Sequence, residues 1–375
     1  MPAEQLVMWI VCAITGGSYF ILLLVLCIRW LRSQEEPQQE RDPLTPLSVI
    51  IPARNEGETI TACLEALSRQ RIPVALLDVI VVDDHSTDDT AERANTFADR
   101  LPLRVISLQD TQGKKAALHC GINAAKHELL VTTDADTVAG PDWLRTIALF
   151  YERTPARMII APVMYHTSGF FASLQALEIA GLALVTGASA AAGKPLLANG
   201  ANLAYTRTAF HAAGGFENDP YVSGDDVLLL QRVLERFPGE VHFLKSREAT
   251  VYTAAQPTAG AFFNQRKRWA SKFRAFRIPA LKYSAFLVFL VNLLVVVFAV
   301  PACLSAVFTG PFLLLVCLKI PIDFLLLSLA ASFFRKGNLL PVFFAALPLY
   351  SFYVVITAAG ASGGQFTWKG RPNSK

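Results

Sequence analysis

Charge is scarce in this chain. Asp, Glu, Lys and Arg make up 17% of its 375 residues, below the roughly 25% of an ordinary soluble domain. That shortfall excludes a disordered, solvating chain and argues against a wholly soluble protein. The net charge of +4 is too small to mark a nucleic-acid surface, so no nucleic-acid partner is expected. The six cysteines form no Cys-x-x-Cys pair and no metal-ligand spacing, which leaves zinc and iron–sulfur sites without support. They read as small buried apolar residues in a reducing compartment.

What the chain has instead is apolar sequence, concentrated at its two ends. Residues 6–28 carry no charge and are followed by Arg29 and Arg32. A bilayer-spanning helix needs about 20 apolar residues. A cleaved signal peptide would carry its charge first, so residues 1–31 read as an uncleaved anchor with Met1 outside and the arginines inside. Residues 32–46 read as a linker. Further on, 284–309 and 339–362 are uncharged, and 311–334 holds only Lys319 and Asp323. Three more membrane segments are expected within 274–375. The basic stretch before them, Arg266-Lys267-Arg268 with Lys272, Arg274, Arg277 and Lys282, belongs at the cytoplasmic headgroups. Three crossings would leave the tail outside, whereas its basic residues, Lys369 and Arg371 among them, favour the inside; one of the three would then re-enter or lie at the interface. Lys319 and Asp323 read first as a mutually neutralising pair that fixes helix packing, or as a snorkelling lysine, ahead of a transport-path role.

The middle of the chain has a different pattern. Residues 47–51, 77–82, 104–106 and 128–131 are short, continuous, β-branched runs. Between them lie helix-like segments at 58–70, 88–98, 114–126 and 141–151. Unbroken apolar strands alternating with helices predict a parallel α/β sheet covered on both faces. Ligands of such sheets bind beyond the carboxyl ends of the strands. Polar residues gather at those ends: Pro52-Ala53-Arg54-Asn55-Glu56, then Asp83-Asp84-His85, then Asp134-Ala135-Asp136. Asp134 and Asp136 cannot both be buried without a counter-charge. A divalent cation with oxygen ligands supplies one and can bridge a diphosphate, although a lone Asp-x-Asp is more often a plain turn. In a second half, Asp225 and Asp226 follow Ser223-Gly224 and open an amphipathic segment, where an acid is ordinarily a helix cap but can also serve as a general base in a cleft. Residues 169–193 are apolar enough to suggest a further crossing. Gln175 and Glu178 interrupt that run, and a crossing would part Asp136 from Asp226, so a buried or interfacial helix is expected.

Eight motifs then occur in order: PARNEGETITACLEAL, VIVVDDHSTDDT, GKKAALHCGI, TTDADT, NGANLAYTR, GGF, SGDDVLLL and QRKRW. The series resembles membrane-bound family 2 glycosyltransferases, the group of cellulose, chitin and hyaluronan synthases and of ceramide glucosyltransferase. The resemblance covers residues 47–273. It implies a GT-A fold, an α/β class with a Rossmann-like nucleotide-binding half and an acceptor half, here with flanking transmembrane helices. It implies a nucleotide-sugar donor, most often a UDP-sugar. Pro52, Arg54, Glu56, Asp83 and Asp84 would line the nucleotide, with Gly113 and Lys114 near its base or diphosphate. Asp134 and Asp136 match the metal motif, Asp136 being the direct ligand of Mg2+ or Mn2+. Asp226, beside Asp225, aligns with the catalytic base. Gln265, Arg266, Arg268 and Trp269 match the Q(Q/R)xRW motif, with an arginine against the departing diphosphate and the tryptophan against a sugar ring.

The sequence departs from the family at His119, where many relatives have Asn, and at Asp225, where processive synthases often have Glu. The expected activity is metal-dependent, inverting transfer of a sugar to a membrane-associated acceptor. A lipid is favoured modestly, because about four membrane segments are few for a polysaccharide channel. A processive polysaccharide synthase and a non-catalytic transport or scaffold protein are the alternatives. The expected location is the plasma membrane, with the catalytic domain facing the cytoplasm.

Overall fold

The computed structural model describes residues 2–216, 225–271, 276–360, 366–368 and 371–373, with the side chains of 225, 271, 366–368 and 371–373 excepted. The first half of the chain comprises α1 (Ala3–Arg32), β1 (Leu47–Ala53), α2 (Ile60–Ser68), β2 (Leu77–Asp83), α3 (Thr90–Asn95), β3 (Leu103–Ser107), α4 (Lys114–Ala124), β4 (Leu129–Thr132), β5 (Val138–Ala139), α5 (Trp143–Arg153), β6 (Met158–Ile160) and β7 (Val163–Tyr165). The second comprises α6 (Gly169–Ala190), β8 (Leu203–Thr206), α7 (Arg207–Ala212), α8 (Asp225–Arg236), β9 (Val241–Phe243), β10 (Val251–Thr253), α9 (Ala259–Ser271), α10 (Pro279–Leu304), α11 (Ala306–Phe333), α12 (Leu340–Gly360), β11 (Phe366–Trp368) and β12 (Arg371–Asn373). Two compact units result. One is Ser33–His166 with Thr186–Ala255; the other is Met1–Arg32, Thr167–Val185 and Gln256–Lys375. The segment α9, which carries QRKRW, therefore groups with the apolar helices and not with the sheet.

The sheet unit is built on a seven-stranded sheet of order β3-β2-β1-β4-β8-β6-β9. The first four strands are parallel, as the alternation of strand and helix predicts. β1 and β2 are nearly all buried because each presents β-branched side chains to both faces. Val49, Ile51, Val79 and Val81 face one core with Leu64 and Ile147. Ile50, Ile80 and Val82 face the other with Leu118, Ile122 and Phe210. Helix α4 lies so close to β1 that a Cβ at Gly121 would stand 2.5 Å from Ile50 Cγ2, which only glycine avoids. The sheet departs from the all-parallel expectation at β8, which runs antiparallel between β4 and β6. A small second sheet has the order β5-β10-β7. Helices α2 and α3 start two residues later than their apolar patterns suggest, because Glu56, Thr59 and Asp88 use their side chains to stitch the preceding loops.

The insertion of β8 bears on α6. This helix is 22 residues long and apolar enough to cross a bilayer. Yet β6, before it, and β8, after it, are hydrogen-bonded neighbours.

In the helical unit, α1, α10, α11 and α12 are also long and apolar enough to span a bilayer. Helices α1 and α11 run in the same direction. Gly16 packs on Leu315 and Leu318, and Trp30 meets Phe333 edge-on at 5.2 Å. Only Ser305 separates α10 from α11, and Phe298 touches Phe308 across the turn. Lys319 and Asp323 form a buried ion pair, and Tyr19 donates to Asp323 Oδ1 at 2.6 Å. The lysine also lies 5.3 Å from the Tyr350 ring. Every formal charge there has a partner, in keeping with a packing pair. Gly360, the last residue of α12, packs against the Lys267 side chain of α9.

Candidate active site

The loops after β1 and β2 are tied to one another. Asp84 N–H donates to Ala53 O at 2.8 Å, and Asn55 takes up a positive φ of 50° to receive Thr87 N–H on its side-chain oxygen at 2.8 Å. Glu56 N–H donates to Thr90 Oγ1 at 2.8 Å, and Gly57 N–H to Asp88 Oδ2 at 3.0 Å. This stitching holds Arg54 with its guanidinium 3.8 Å from Asp84 Oδ2 and places Pro52 at the strand mouth. Asp84 is buried and also faces His85 Nδ1 at 3.3 Å. Asp83 is buried at the tip of β2. Ser86 N–H donates to its Oδ2 at 3.3 Å, whereas its Oδ1 has no hydrogen-bond partner among the described residues. A buried carboxylate oxygen left open at a strand end fits a ligand that brings its own donors, as a nucleoside base or ribose does.

Next along the sheet, Gly113 caps α4 with a positive φ of 100° and delivers Lys114, whose Nζ lies 2.5 Å from Asp134 Oδ1. The Asp134 carbonyl receives the Thr137 hydroxyl at 2.8 Å, which closes the Asp-x-Asp turn. Asp136 receives Thr253 Oγ1 at 3.2 Å from β10. Burial pushes the Asp136 carboxyl up to about 6, and the negative charges of Asp134 and Glu56 add to the effect. Burial, with the same negative neighbours, pushes the Cys63 thiol beneath the turn up to about 12. Asp134, Asp136 and Glu56 thus share one negative pocket that Lys114 offsets only in part.

Asp226 enters from the second half of the sheet unit. Gly200 N–H donates to its Oδ2 at 3.1 Å, and Val227 N–H to its Oδ1 at 2.8 Å. The adjoining Ala201 carbonyl accepts the Thr133 hydroxyl at 2.8 Å, which links the Asp226 loop directly to the Asp-x-Asp turn. Asn202 anchors this loop: its oxygen accepts Trp143 Nε1–H at 3.0 Å, and its amide donates to the carbonyls of Pro162 and Ala249 at 2.7 and 2.8 Å. Sequence reasoning missed Asn202 and Thr253 as site-builders. The asparagine in NGANLAY was visible, but its partners are dozens of residues away. Ser223, Gly224 and the Asp225 side chain lie outside the described residues.

Gln265, Arg266, Arg268 and Trp269 lie on α9 in the helical unit. Arg266 is buried and paired with Glu178 at 2.7 Å, and its guanidinium lies 4.2 Å from the Trp269 ring. One face of Trp269 is therefore covered by Arg266.

Among the described residues no three His, Cys, Asp or Glu side chains converge as a self-sufficient metal cage. The donor set fits a different arrangement. Asp136, with Asp134 and Glu56 beside it, offers hard carboxylate oxygens whose negative charge Lys114 offsets only in part, which suits a divalent ion completed by phosphate oxygens and water.

The family model for glycosyl transferase family 2 matches residues 48–213. This segment is a family 2 glycosyltransferase domain. Over 272 residues the chain is 24% identical to a poly-beta-1,6-N-acetyl-D-glucosamine synthase of Staphylococcus epidermidis, a match that covers 72% of this chain and 63% of the relative. It is 32% identical over 126 residues to a PGL/p-HBAD biosynthesis glycosyltransferase of Mycobacterium bovis, covering 33% of this chain and 48% of that one. The chain thus spans less than two thirds of the length of these curated relatives. A solved mannosyltransferase of Pyrobaculum calidifontis, in complex with GDP-Man and Mn2+, superposes with a TM-score of 0.60 at 20% identity, covering 96% of this chain and 97% of the other. That likeness shows the fold: the family 2 domain is of the GT-A type.

Proposed function

We propose that this chain is an inverting glycosyltransferase that moves a sugar from a nucleotide sugar, a UDP-sugar in the first instance, to a membrane-associated acceptor. The observation that carries this reading is the linkage of Asp226 to the Asp134–Asp136 turn through Thr133 and Ala201. That link between the two loops supports a shared location for a candidate base and a candidate diphosphate site. Arg54, Glu56, Asp83 and Asp84 bind the nucleotide, and Lys114 faces its diphosphate. Asp136, with Asp134, would hold Mg2+ or Mn2+. When bound, such an ion neutralises the charge that develops on the leaving group. Asp226, oriented by two backbone N–H groups, takes the proton of the acceptor hydroxyl as its oxygen bonds to the anomeric carbon and the bond from that carbon to the diphosphate breaks.

A lipid acceptor suits an active site at the bilayer surface with few spanning helices. The similarity to a polysaccharide synthase favours a second reading, a growing glycan. For the membrane region we infer three crossings, α1, α10 and α11, with the sheet unit and the basic tail in the cytoplasm. The shared direction of α1 and α11 supports this, as does the return of α12 to α9 at Gly360.

The test is turnover of labelled UDP-GlcNAc, UDP-glucose and GDP-mannose by purified protein in membranes, with lipid and glycan products profiled. Asp226→Asn is expected to lose about 10²- to 10⁴-fold in turnover, the range for a general base, while nucleotide binding persists. Undiminished turnover by that variant would overturn the assignment.

A further inference from the structure

We propose that Glu178 and Tyr353 are positioning residues, which hold Arg266 as an internal strut of α9 and so keep it from serving as a ligand of the donor diphosphate. The proposal rests on the glycosyltransfer reading and narrows the role of the QRKRW segment within it.

Arg266 is 3% exposed. Its Nε and Nη2 donate to Glu178 Oε2 at 3.2 and 2.7 Å, and its Nη1 donates to Gln265 Oε1 at 2.6 Å. Its guanidinium also lies against two rings, Phe262 at 4.5 Å and Trp269 at 4.2 Å. The second oxygen of Glu178 is taken by the Tyr353 hydroxyl at 3.0 Å. Phe262 in turn packs on Phe171 at 5.5 Å and on Tyr353 at 5.2 Å. Helices α6, α9 and α12 therefore meet at this one guanidinium. A buried arginine so enclosed cannot turn toward a phosphate without abandoning its carboxylate partner, which is unfavourable.

Helix geometry extends the argument. Trp269 is three residues after Arg266 and so lies on the same face, as the ring contact requires. Arg268 is two residues on, about 200° around the helix, and so points away from the α6 and α12 side. Fixing Arg266 inward thus sets the rotation at which Arg268 is presented. Arg266 then acts by holding the helix.

Apolar replacement provides the test. Four variants are compared with wild type in membranes: Glu178→Gln, Tyr353→Phe, Arg266→Met and the double Glu178→Leu/Arg266→Met. Turnover is split into kcat and donor KM, and melting temperatures are read alongside. Glu178→Gln and Arg266→Met are expected to lose kcat by about tenfold or more, because each leaves the other charge without its partner. Tyr353→Phe removes a single hydrogen bond and is expected to lose about two- to fivefold in kcat. Donor KM should stay within about twofold throughout. The double variant, with both charges gone and the packing kept, is expected to recover most of the lost kcat and the lost melting temperature. A double variant as inactive as Arg266→Met, with a raised donor KM, would overturn the proposal by making Arg266 a substrate ligand. Lack of transfer by wild type would instead sink the glycosyltransfer reading. In that case the melting temperatures decide alone, and no recovery in the double variant counts against the strut.

Discussion

Replacing Asp136 with asparagine should make the metal-free protein harder to melt while ending its response to metal and nucleotide. In the sheet unit this carboxyl is raised from its ordinary 3.8 to about 6 by burial and by its neighbours Asp134 and Glu56. At 1.36 kcal/mol per pH unit the difference is about 3 kcal/mol, reduced to about 2 kcal/mol by the solvent that still reaches the group. The sign follows from proton binding: the native state holds this proton more tightly than the unfolded chain, so stability is lost as pH rises from about 4 to about 6. Above that range wild type carries the full penalty and Asp136→Asn carries none. In a domain of this size about 2 kcal/mol corresponds to about 4–8 °C in melting temperature. The assay is a melting series in chelator from pH 4 to pH 8. The variant should exceed wild type by that margin at pH 8, and the gap should close toward pH 4. Adding Mn2+ and UDP at pH 8 should then raise wild type and leave the variant in place. A variant that melts below wild type at every pH, or that gains equally from metal and nucleotide, would refute the idea that this pocket is a cation site held short of positive charge.

Two further outcomes are expected. Removing either partner of the Lys319–Asp323 pair should destabilise the helical unit by about 3–5 kcal/mol, read as lost melting temperature or yield, whereas Lys319→Met with Asp323→Leu should largely restore it; no recovery would argue for a role beyond packing. Reporters fused at residue 40 and after Lys375 should both give the cytoplasmic signal, and an external signal from the second would mean that α12 crosses.

Much of the sheet unit was legible because it follows from local pattern. Runs such as LSVII and LDVIVV have no polar face, so they had to be covered strands, and the acids that follow them had to lie at strand ends. What could not be read depends on contacts distant in sequence. The slot of β8 between β4 and β6 is set by pairing partners some 45 and 75 residues away. Thr253 was an unremarked residue in a short strand, yet it donates to Asp136 across 117 residues. Glu178 registered only as an interruption of an apolar run; that a lone acid there needs a cation was the available signal, and its partner proved to be Arg266, in a motif otherwise assigned to phosphate. The late starts of α2 and α3 have the same origin, since side chains that would continue a helix are engaged in the loop before it.

The antiparallel strand β8 also has a consequence for how the protein is made. Until residue 203 leaves the ribosome, β4 has a bare edge, and the segment produced just before it is the 22-residue apolar helix α6. The apolar stretch of α6 is thus complete before the strand that pairs with β4 and β6 has been synthesised. Gln175 and Glu178, set within that helix, lower its apolar character and are engaged in the folded chain by Gln256, Arg266 and Tyr353. The two polar residues that interrupt the run therefore anchor α6 through contacts made by segments synthesised later.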